Sequence, residues 1–98
     1  MLVSFESVRN HHEEAVFQVV LDLSSRYPAM EFDANLLVDV ACIALNRLPA
    51  RYIRHPIDLI FYTTEVEQAK TDKAIHQAVI EAFEFMASRL GIKAAESA

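Results

Sequence analysis

The chain holds one cysteine, one glycine, three prolines and no tryptophan. A lone cysteine, Cys42, excludes a disulfide framework or a multi-cysteine zinc site within one chain. A lone glycine, Gly91, excludes the glycine-rich loops that cradle phosphates in nucleotide hydrolases and dinucleotide-binding folds. No nucleophile elbow and no paired-carboxylate signature occurs either, so no enzyme is expected. Turn residues are few and no internal repeat is present, which points to helices. The most apolar run, from Leu36 to Leu45, is too short for a membrane span of about 20 residues. The opening MLVSFESVRN has no basic stretch followed by an apolar one, so no signal peptide is expected and the cytoplasm is the default location. Acids are missing from one stretch as well: none lies between Asp39 and Asp58.

What is present is apolar and acidic. The 98 residues are 53% hydrophobic with a formal charge of −5. That length makes one domain, residues 1–98, because halves would bury too little core. So much apolar surface on so small a chain calls for a partner to cover part of it, most simply a second copy. A net negative charge argues against general nucleic-acid binding, which neutralises phosphates with Lys and Arg. The acid-free stretch nevertheless holds Arg47, Arg51 and Arg54, three of the nine basic residues, so a local anion site is allowed.

Periodicity predicts an all-α bundle of about four helices. Ser4 is a candidate cap for a first helix from Phe5, with Phe5, Val8, His12, Ala15, Val16, Val19, Val20 and Leu23 on one face. Tyr27 to Phe32 is a connection. Asp33 caps a second helix from Ala34 to Arg47, which Pro49 ends at Leu48. Because Leu36–Leu45 has only Asp39 as a polar side chain, this helix is expected to be buried on every side. Asp39 would then need a buried partner, and Cys42 would be an inert core thiol. The segment Tyr52–Tyr62 fits either a strand or a short helix, with Pro56 at a first helical position favouring the helix. Thr64 and Glu67 form a capping box opening a last helix to Leu90. Its apolar stripe is Ile75, Ala78, Val79, Ala82, Phe83, Met86 and Leu90, and Gly91 stops it. The tail over 91–98 is expected to fray.

His11-His12-Glu13-Glu14 invites a metal reading. Adjacent helical residues point about 100° apart and do not converge on one ion, so a solvated helix face is preferred and no metal is expected. The segment Asn46 to His55 is richer. Arginine forks grip phosphates in bidentate fashion and stack on bases, and tyrosine offers a flat ring. Arg47, Arg51, Tyr52 and Arg54 are the leading ligand-binding candidates, with Asn46 and His55 next. An equally weighted alternative has these residues capping the second helix and pairing with acids on the first and last.

At these residues the sequence resembles the late competence protein ComFB family. The matching pieces are Asn10-His11-His12-Glu13 with Val16, then Asp39-Val40 and Ala44-Leu45-Asn46-Arg47-Leu48-Pro49-Ala50-Arg51-Tyr52, with the Ala, Val and Phe pattern after Asp72. The family's usual second proline is Ala50 here. The resemblance implies a helical homodimer. It also implies a receptor for the second messenger cyclic di-GMP, linked to competence or motility and relaying its signal to an effector protein. Family members that bind zinc carry several cysteines, so that property does not carry over to a chain with Cys42 alone. The alternative is a structural or adaptor dimer without a small ligand.

Overall fold

A computed structural model describes residues 1–55, 57 and 63–91. Among them, a two-residue strand β1 (Arg9–Asn10) leads into helix α1 (Glu13–Leu23) and a short 3-10 helix (Ser24–Arg26). Helix α2 (Ala34–Arg47), strand β2 (Tyr52–Ile53) and helix α3 (Glu65–Leu90) follow. Helix α3 packs against both α1 and α2, and those two pack on each other. The expected helical class holds, with three α-helices and a small ribbon among the described residues. The short helix expected from Pro56 lies outside the described residues, as does the tail over 92–98. Among the described residues no helix is long and apolar enough to cross a membrane.

The first helix begins eight residues later than periodicity alone predicts. Ser4 accepts a hydrogen bond from the Glu6 amide in a turn, not at a helix start, and Phe5 and Val8 are exposed. Non-local pairing overrides the local pattern here. Arg9 and Asn10 lie antiparallel to Ile53 and Tyr52. Asn10 then fixes the boundary: its Oδ1 accepts from the His12 amide at 3.2 Å, while its own amide donates to the Glu13 carboxylate at 2.9 Å. With those groups committed, the helix cannot extend backwards.

Helix α2 begins as expected, with the Asp33 carboxylate accepting from the Leu36 amide. It ends at Leu48, whose extended backbone (φ −96°, ψ 139°) is what the following proline imposes. Its surroundings are not as expected. Val40, Ala41 and Ala44 are buried, but Asn35, Val38, Asp39, Cys42 and Asn46 form an exposed stripe at helical spacing. Only the face covered by α1 and α3 is core. The expected burial of Asp39 and Cys42 is therefore corrected: both face solvent. An almost uniformly apolar run does not reveal which side a three-helix layer leaves open.

Helix α3 carries the complete capping box. The Thr64 hydroxyl accepts from the Glu67 amide, and the Glu67 carboxylate accepts from the Thr64 amide. Gly91 stops the helix in the left-handed conformation, φ +68°, that glycine adopts without cost. Ile75, Ala78, Val79, Ala82 and Phe83 are buried as the stripe predicts; Ala87 joins them, while Met86 is half-buried and Leu90 exposed. The connection after the 3-10 helix contributes two core side chains, Tyr27 and Met30. The Tyr27 ring stacks on Phe83 with centroids 4.3 Å apart and planes 2° from parallel. Its hydroxyl donates to Glu84 Oε1 at 2.9 Å, which satisfies the phenol without leaving the core.

Candidate functional site

The first three turns of α3 run beyond the core, where Thr71 alone is half-buried between Glu65 and Ala74. Opposite them lie the proline turn after α2 and the entry to α1. A cavity of about 510 Å³ opens between these pieces. Leu48, Pro49 and Ala50 supply one wall with Arg51 at its end, His11 and His12 another, and Thr63, Gln68, Thr71 and Ala74 the third. The walls are held by backbone ties. The His11 amide donates to the Arg51 carbonyl at 2.6 Å, and the Arg51 amide donates to Asn10 Oδ1 at 3.2 Å. Asn10 thus accepts from the backbone amides of both Arg51 and His12, fixing these two stretches of chain to one another. A second groove of about 480 Å³ lies beside the ribbon, bordered by Arg9, His11, Glu13, Glu14, Phe17 and Ile53 among others, so His11 belongs to both.

His12 is buried, 8% exposed, and not on a solvated face as the sequence suggested. Desolvation pushes its pKa below the ordinary 6.5, with the neighbouring His11 and then Arg51 acting in the same direction and the Pro49 carbonyl opposing them. The balance favours the neutral ring. The His11 and His12 rings lie 5.7 Å apart and tilted by 48°. Among the described residues no three His, Cys, Asp or Glu side chains gather around a point where a metal ion could sit.

The arginines that the sequence groups together divide between two places. Arg51 lines the cavity. Arg47 turns to α3 instead, where Nη1 meets Glu81 Oε2 at 3.4 Å and the guanidinium lies 5.7 Å from the centre of the Phe85 ring. Arg89 approaches the same ring at 5.8 Å. The Arg47–Glu81 pair is largely exposed, a kind of ion pair worth about 0–1 kcal/mol. Tyr52 is 68% exposed on β2, and Asn46, Arg54 and His55 are exposed around the turn.

Five polar cavity residues fall outside the arginine-turn candidates: His11, His12, Thr63, Gln68 and Thr71. A signal for His12 exists, since it falls on the apolar side of the first helical pattern. Gln68 and Thr71 carry none, being ordinary residues on an exposed helix turn.

The sequence model of the late competence development protein ComFB family matches residues 9–90. The chain belongs to this family. The match begins at β1 and ends at the last residue of α3, so every element of the ComFB-family fold described above lies within it. No curated protein and no solved structure matches the chain.

Proposed function

We propose that this ComFB-family protein is a non-enzymatic, competence-related regulatory protein that binds cyclic di-GMP and relays the signal to a protein partner. The observation carrying the reading is the position of Arg51. It is the cation of a 510 Å³ cavity whose other walls offer an amide, hydroxyls and imidazoles. Arg51 takes a phosphate, and the exposed Tyr52 ring beside it stacks on a guanine. Arg54 supplies further positive charge at the rim, with Asn46 and His55 as outer contacts. Arg47 joins only if the ligand reaches past the cavity, because Glu81 and Phe85 already hold it. No metal or cofactor is needed for such binding.

Calorimetric titration of the purified protein with cyclic di-GMP, with GTP as control, tests this directly. Arg51→Ala should weaken binding about ten- to a hundredfold, the equivalent of one lost charge-assisted contact of roughly 1.5–3 kcal/mol. Its melting temperature should change little, since the ties at position 51 use the backbone. Wild-type protein that takes up no cyclic di-GMP refutes the reading.

An adaptor without a small ligand is favoured by a different observation. Arg47 is spent on Glu81 and Phe85, as that alternative expects of the arginines. An Arg51→Ala variant that unfolds, while binding per folded molecule is kept, would decide for it.

A further inference from the structure

His12 stands immediately before α1, where Ser, Thr, Asp or Asn would normally accept from a first-turn amide. It makes no such bond. It borders the cavity, is 8% exposed, and its Nδ1 has no hydrogen-bond partner among the described residues. A buried polar atom without a partner is costly to keep and calls for an explanation. Its backbone amide is held by Asn10 Oδ1, the same oxygen that accepts from the Arg51 amide, so both residues keep their places at the cavity edge.

The neutral imidazole has one donor nitrogen and one acceptor nitrogen. The proton is assigned to Nε2, the nitrogen that carries it in the preferred tautomer of a free histidine side chain. Nδ1 is then the acceptor left over, and only an N–H or O–H group satisfies it. Arg51, tied to the same Asn10, requires the opposite: an anion.

We propose that the cavity recognises a ligand carrying a phosphate and, beside it, a hydrogen-bond donor, with Arg51 taking the phosphate and His12 Nδ1 accepting from the donor. A nucleotide unit, with a phosphate adjoining ribose hydroxyls and base N–H groups, has this pattern. The inference rests on the ligand-binding reading of the Arg51 cavity and adds to it a specificity-determining residue.

The test is long-range proton–nitrogen NMR of the histidine rings in the full chain, titrated separately with cyclic di-GMP and with GMP. The His12 Nδ1 resonance should shift on saturation while remaining unprotonated. His12→Phe, which keeps a ring but removes the acceptor, should bind roughly three- to tenfold more weakly, the loss expected for one neutral hydrogen bond. If cyclic di-GMP binds through Arg51 while His12 Nδ1 stays unmoved and His12→Phe binds as well as wild type, this inference is overturned and the binding reading stands. A shift with GMP but none with cyclic di-GMP supports the inference and removes the cyclic ligand. No shift with either overturns it. Should His12→Phe fail to fold, the shift in the wild-type protein decides alone.

Discussion

Two buried side chains give opposite pH signatures. Desolvation, then the hydrogen bond to Glu84, pushes the Tyr27 hydroxyl from 10.0 up to about 12. A raised folded-state pKa contributes stability that is complete below pH 10.0 and is lost as pH rises towards 12. Tyr27→Phe should remove that alkaline loss and the phenol's bond together, lowering stability at pH 7 by about 1–3 kcal/mol in denaturant titrations. His12 behaves the other way. Its lowered pKa means the unfolded chain binds the extra proton first, so its contribution is present above pH 6.5 and declines as pH falls. His12→Phe should flatten the melting temperature between pH 7 and 5. Asp39, the one charge in the apolar run, is exposed and unremarkable in its surroundings. Asp39→Ala should change stability by less than about 0.5 kcal/mol; a loss several times larger would mean that α2 is covered on its outer stripe.

At the scale of elements, what was legible in the sequence is what is decided locally. The Thr64–Glu67 box, the Asp33 cap, the Pro49 stop and the Gly91 terminator each depend on residues within four positions, and each stands where the pattern puts it. The start of α1 departs from the pattern for the complementary reason. Two residues per strand carry no periodicity, and the partner of Arg9 is Ile53, far along the chain. The candidate site divides along the same line. Its cation and proline wall were legible as a run of neighbours, whereas the histidine wall and the α3 wall are brought there by packing. Asn10 joins these pieces, accepting from the amides of His12 and Arg51. Asn10→Ala removes the acceptor of both amides, of which the Arg51 one is open to water, and should cost about 1–2 kcal/mol. It should also weaken ligand binding beyond the loss of folded protein, which calorimetry on the folded fraction would show.

For the whole molecule, the exposed apolar side chains matter most. Phe17 and Leu21 sit one turn apart on the outer face of α1, Val38 is exposed on α2, and Phe85 and Leu90 are exposed along α3. A homodimer that covers one of these faces is the expected state, and sedimentation at micromolar concentration giving an 11.1 kDa species would count against it. Two copies would also suit a ligand with two-fold symmetry. The Asn10–Arg51 tie has a kinetic consequence too. It closes a loop between residues 41 positions apart, at an entropic cost of about 3 kcal/mol, and a ribbon of two residues per strand cannot meet that cost alone. The three helices must dock first and bring its ends together, so the ribbon belongs to the late side of the folding barrier. Asn10→Ala should then accelerate unfolding and leave the refolding rate unchanged in stopped-flow experiments. A slowed refolding rate would put the ribbon in the nucleus instead. Nascent chains and partly denatured molecules would accordingly be helical before the cavity walls at His11, His12 and Arg51 come together.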